Sequence, residues 1–252
     1  MTTNQPVYDF SLRMGDNTLV LGQLLSAWCG HAPALEEDIA LANIGLDLIG
    51  QAKMWLSLAG EIEGEGRSAD DLAFRRDNRD FHNCLLVEQS NGDYGKTLMR
   101  QFLFDAWHHP MLAALVQSSD ERVAAIAEKS EKEAAYHLER STDLVIRLGD
   151  GSQESHGRMQ AALDDLWRFT GELTAPDAVD KAVADQGVAP GLAQIKTNYD
   201  AHVSASLREG MLCAPDGVEM RKGGKSGLHT EEFAFLIAEM QTLPRMYPDA
   251  QW

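Results

Sequence analysis

The sequence predicts an all-α helical bundle with additional helices toward the C-terminus. Three observations predict it. Apolar residues recur at intervals of three and four through most of the 252 positions, the spacing that lines one face of a helix. Runs of β-branched residues with period two are absent, so no sheet can be assembled. Two of the longest periodic segments are joined by a very short connection, which makes them antiparallel neighbours. The core bundle is placed at about 13–148 and the helical extension at about 154–252, within one domain.

The first helix is expected from Arg13 to Cys29, on Leu19, Leu21, Leu24, Leu25 and Trp28. Gly30-His31-Ala32-Pro33 stops it, because proline is poorly tolerated inside a helix. The second runs from about Ala34 to Gly60 and opens with Glu36, Glu37 and Asp38, which suit the positive end of the helix dipole. Its apolar residues, from Leu35 and Ile39 through Leu46 to Leu58, cover nearly every face, as in a central helix. A Gly- and Glu-rich break from Glu61 to Arg67 precedes a short helix from about Asp70 to Val87. Asn91-Gly92-Asp93 marks a turn. Tyr94 to Val116 forms the third long helix, with Leu98, Phe102, Leu103, Trp107 and Met111 on its inner stripe. The fourth spans about Ser119 to Leu148 and ends at Gly149-Asp150-Gly151. Shorter helices follow at about Glu154 to Leu173, Pro176 to Ala184, Ala189 to Arg208 and Thr230 to Tyr247.

With 44% hydrophobic and 24% charged residues, the composition is that of a globular protein with a sizeable core. A net charge of −17 repels a phosphate backbone and speaks against nucleic-acid binding. Two local basic clusters stand against that field, Arg75-Arg76-x-x-Arg79 and Arg221-Lys222-x-x-Lys225, and solvated surface charge is the simpler reading of both. Cys29, Cys84 and Cys213 are far apart and odd in number, which argues against a disulfide framework or a thiolate metal site. Met1 to Phe10 lacks the basic start and apolar run of a signal peptide, and no apolar stretch approaches ~18 residues. A cytoplasmic protein with no membrane partner is expected.

The polar residues inside the helices carry the functional signal. On the third helix Asp105 and His108 lie three apart among Phe102, Phe104 and Trp107, with His109 alongside. On the fourth, Glu133 and His137 share a face, and the position three before the histidine is Ala134. On the second, Asp47 interrupts an apolar run, where a carboxylate is costly unless paired, protonated or bound to a cation. Three positions on stands Gly50, and the first helix offers Asp16 and Gln23. Ferritin-like di-iron bundles take a Glu from each of two helices and a Glu-x-x-His from each of two others. Asp47, Asp105, His108, Glu133 and His137 are a depleted version of that set, a vestigial site with too little charge to balance two cations. No catalytic, cofactor-binding or metal-binding residue is therefore expected. Plain structural roles are open for each: an Asp105–His108 hydrogen bond, an ion pair from Asp47 to an Arg or Lys of an adjacent helix, and solvent exposure of Glu133 and His137.

Longer blocks carry a family resemblance. They are Trp28-Cys29-Gly30-His31-Ala32-Pro33, the stretch from Leu41 to Ala52, Leu85-Leu86-Val87-Glu88-Gln89, Asp105-Ala106-Trp107-His108, Leu166-Trp167-Arg168-Phe169-Thr170, the stretch from Gly223 to Glu231, and Gln251-Trp252. In this order they span nearly the whole chain, which resembles the structural, non-catalytic subunits of bacterial phenylacetyl-CoA epoxidase complexes. The resemblance implies a ferritin-like fold within a ring 1,2-monooxygenase of aerobic phenylacetate catabolism. In such complexes a paralogous catalytic subunit holds the di-iron centre, and a reductase with flavin, an iron–sulfur cluster and NADPH supplies electrons. A chain of this kind carries no cofactor itself and pairs with the catalytic subunit in a heterodimer that assembles further. Where the paralogue has Glu-x-x-His on its second and fourth ligand helices, this chain has Asp47-x-x-Gly50 and Ala134-x-x-His137. The resemblance also raises the coenzyme A tail as a neighbour of Arg221 to Lys225. Two alternatives stay open: a di-iron carboxylate oxygenase in its own right, and an independent ferritin-like protein.

Overall fold

A computed structural model describes residues 4–248 and 250. Its elements run α1 (Gln5–Ala27), α2 (Leu35–Glu63), α3 (Ala69–Phe74), α4 (Tyr94–Leu115), α5 (Glu121–Gly149), α6 (Gln153–Leu166), α7 (Gly171–Thr174), α8 (Ala178–Asp185), α9 (Leu192–Glu209) and α10 (Glu231–Met246). No strand occurs among the described residues. The architecture is an all-α, ferritin-like helical bundle with a helical extension, as the sequence predicts. α1 lies along α2, α4 lies along α5, and the two pairs meet through α2 and α5. From the extension, α6 and α9 pack on α4, α8 on α1, and α10 on α3. No helix of the described residues is long and apolar enough to cross a membrane. The terminal Gln251-Trp252 block lies outside the described residues.

Close approach holds the first pair together. A Cβ added to Gly22 of α1 would sit 3.2 Å from the Gly45 carbonyl oxygen of α2. Further along, Phe10 meets Trp55 edge-on, with ring centroids 6.1 Å apart. α1 starts at Gln5 rather than Arg13 because Pro6 falls in its first turn, where no backbone N–H is needed. α4 and α5 keep nearly the expected limits, capped by the side chains of Asp93 and Asp120 on the amides of Lys96 and Arg122.

The segment expected to be helical from Asp70 to Val87 is an α-helix only as far as Phe74. Side chains from other elements claim its amides instead. Asp16 accepts from His82 N at 2.8 Å, Asn17 from Cys84 N at 2.8 Å, and Glu172 from Leu85 N at 3.0 Å. The helix expected from Glu154 to Leu173 likewise breaks, at a 3-10 turn over Trp167–Phe169.

Two further expectations change. α2 is not covered on all sides: Leu35, Ile39 and Leu46 are 70%, 53% and 67% exposed. Nor are the basic clusters purely solvated. Arg76 is buried in an ion pair with Asp16 and lies over the Phe81 ring, its guanidinium carbon 4.1 Å from the centroid. Lys225 Nζ donates to Asp180 Oδ2 and to the Ala175 carbonyl, both at 3.0 Å. Arg75, Arg79, Arg221 and Lys222 do face solvent.

Candidate functional site

The polar centre is built from α2, α4 and α5. On α4, Asp105 is buried, and its two oxygens are both taken. Gln101 Nε2, one turn earlier on the same helix, donates to Oδ1 at 2.7 Å, and Ser141 Oγ of α5 donates to Oδ2 at 2.9 Å. Burial pushes the carboxyl up to about 6, against the opposing pull of His137 and of those two hydrogen bonds.

His108 follows one turn later and does not bond Asp105, contrary to the simplest expectation. Both of its ring nitrogens lack a partner, and the ring is fully buried. It lies 4.8 Å from the Phe104 ring and nearly parallel to Trp107 at 6.1 Å, centroid to centroid. Burial holds its pKa down to about 3, with His137 and His109 adding repulsion, so the imidazole is neutral.

On α5, His137 is buried and does not face solvent. Its Nε2 stands 3.0 Å from Asp47 Oδ2 of α2. Asp47 is thus paired with a histidine rather than an arginine or lysine, and its side chain remains 37% exposed. Glu133 is half-buried and accepts from Gln51 Nε2 at 2.9 Å. Ala134 is buried, whereas Gly50 is exposed and points away from the centre. The absence of a side chain at Gly50 therefore does not empty a place inside the bundle.

The five candidates are brought to one region, but Asp47, Asp105, Glu133 and His137 engage in separate contacts and His108 has no hydrogen-bond partner. Gln51, Gln101 and Ser141 complete those contacts, and residue-type reasoning missed them. A signal was available, since each stands four positions from a candidate: Gln51 after Asp47, Gln101 before Asp105, Ser141 after His137.

A bridged di-iron centre needs several acceptors converging on two cations, with charge to match. Here amide and hydroxyl hydrogens point at Asp105, an amide hydrogen points at Glu133, and the carboxyl of Asp105 is raised rather than stabilised as an anion. Among the described residues, no three His, Cys, Asp or Glu side chains are grouped so that they could hold a metal ion. The residues do not fit a di-iron cofactor.

Fold and site together define a ferritin-like bundle whose centre is a hydrogen-bonded polar cluster. The family described as phenylacetic acid catabolic protein matches residues 1–252, and the chain belongs to that family. It is 49% identical over 243 residues to one of the subunits of 1,2-phenylacetyl-CoA epoxidase from Escherichia coli strain K12, an alignment covering 96% of this chain and 98% of that relative.

Proposed function

We propose that this chain is a non-catalytic structural subunit of a phenylacetyl-CoA epoxidase-type monooxygenase in phenylacetate catabolism. It pairs with a ferritin-like di-iron catalytic subunit, stabilises it, and works in the cytoplasm with a reductase carrying flavin, an iron–sulfur cluster and NADPH. The family match and the relative's membership of an epoxidase support the assignment to the complex. The observation that carries the non-catalytic role is the double capping of Asp105 by Gln101 and Ser141, which commits both oxygens of this buried carboxylate to hydrogen bonds. Lining up long helices is what remains for such a bundle to do, and large apolar helix faces suit obligate interfaces.

Iron quantification on the isolated chain beside the reconstituted complex tests the proposal. Traces of iron in the chain alone, with stoichiometric iron and turnover only in the complex, are expected. Stoichiometric iron and epoxidation by the isolated chain would overturn it.

A further inference from the structure

Five glycines lie within α1 and α2, and four of them have a neighbour that explains them. A Cβ at Gly15 would meet Leu56 at 2.8 Å, at Gly22 the Gly45 carbonyl at 3.2 Å, at Gly45 the Gly22 carbonyl at 3.4 Å, and at Gly60 the Arg67 carbonyl at 2.3 Å. Gly50 is different. Nothing lies within 4 Å of the position its Cβ would take, and its backbone is ordinary right-handed helix. Glycine destabilises a helix interior relative to alanine, so an exposed helical glycine with open space around it carries a cost the chain itself does not explain.

Its surroundings indicate what does. One turn before Gly50 is Leu46, 67% exposed, and the same helix continues back to Ile39 and Leu35, also exposed. One turn after it, a groove of about 660 Å³ opens between α2 and α5, with Met54, Leu58 and Ile126 among its lining residues. Lys53 and Lys129 edge that groove against a single lining carboxylate, Glu61, while Arg122 beside them is held by Asp120, on a chain whose net charge is −17. An apolar row, a point without a side chain and a basic groove thus follow one another along one face.

We infer that this face is the seat of a helix from the catalytic partner, crossing α2 at Gly50 and turning an acidic flank toward Lys53 and Lys129. Glycine at the crossing lets two helix backbones approach closely, as Gly22 and Gly45 do inside the chain. A second copy of this chain fits less well, since a net charge of −17 on each copy opposes self-association. The inference rests on the structural-subunit reading and specifies its docking face.

Gly50→Ala and Gly50→Leu variants, each co-expressed with the catalytic paralogue of the complex, test it. Both are expected to fold alone, with melting temperatures equal to or above that of the parent chain. In size-exclusion chromatography the parent chain forms a stable mixed complex, and Gly50→Leu is expected to weaken it at least tenfold. Reversing charge with Lys53→Glu and Lys129→Glu should weaken it further at low salt than at high salt. A Gly50→Leu chain that pairs like the parent, or that fails to fold alone, would overturn the docking face and leave the structural-subunit reading standing. A parent chain that forms no mixed complex would overturn both. A homodimer abolished by Gly50→Leu would overturn the choice of partner.

Discussion

Gln101 donates its side-chain amide to Asp105 one turn further along α4, at 2.7 Å, inside the bundle. The pair is local, so it forms as soon as the helix does and needs no partner from elsewhere. Ser141 then closes the other carboxylate oxygen when α5 packs against α4. A polar residue in an apolar core is costly mainly when unpaired. These two donors make Asp105 tolerable without a cation, although burial still holds its carboxyl up at about 6.

Asp105 and His108 should give opposite pH dependences to stability. From about 3.8 to about 6, folded Asp105 keeps a proton that the unfolded chain has released, so its contribution falls as pH rises. From about 6.5 down to about 3, folded His108 rejects a proton that the unfolded chain takes up, so its contribution falls as pH drops. Between about pH 4 and pH 6 the two slopes offset each other. Asp105→Asn should therefore gain a slope of about +1.4 kcal/mol per pH unit relative to the parent chain, and His108→Phe about −1.4. Urea unfolding across that window measures both, and parallel curves for all three proteins would refute the pairing.

Burial separates two carboxylate contacts that look alike in sequence. Arg76 and Asp16 are almost fully enclosed, and Arg76 also donates to the Asp80 carbonyl at 2.8 Å. Arg76→Leu leaves the Asp16 charge buried without its counter-ion and should cost about 3–5 kcal/mol. Asp47 keeps contact with water beside His137, so Asp47→Asn, which retains an acceptor, should cost less than ~1 kcal/mol. Chemical denaturation of the two variants in parallel checks the ranking, and equal losses would contradict it.

Much of the fold was legible because the long helices satisfy themselves locally. α2, α4 and α5 announce their limits through acidic first turns, Asp caps and terminal glycines, and the structure keeps those limits closely. The segment after Phe74 was not legible, since its amides bond to Asp16, Asn17 and Glu172, residues distant in sequence. In the polar centre, residue type and spacing pointed to Asp105 and His137, which are both buried. Four-residue spacing flags Gln51, Gln101 and Ser141, but it does not say that Gln51 bonds Glu133 and Ser141 bonds Asp105 across helices. The outward face of Gly50 was hidden for a different reason: an apolar residue set on every side of α2 does not say whether this chain or another one covers it.

Lys225 shows how a basic loop can be structural rather than anion-binding. Its ammonium is spent on Asp180 Oδ2 and the Ala175 carbonyl, and its side chain is only 10% exposed. Asp180 also accepts from Arg13 Nη1 at 3.0 Å, which ties α1, α8 and the loop after Gly223 into one network. Lys225→Met therefore removes a tether but leaves Asp180 with a counter-ion, and a loss of about 1–3 kcal/mol is expected. Phenylacetyl-CoA affinity of the assembled complex should not change, because the ammonium already has its partners. Calorimetric melting of the chain and substrate titration of the complex read the two effects separately. An unchanged melting temperature with weakened substrate binding would place Lys225 at the coenzyme A tail instead.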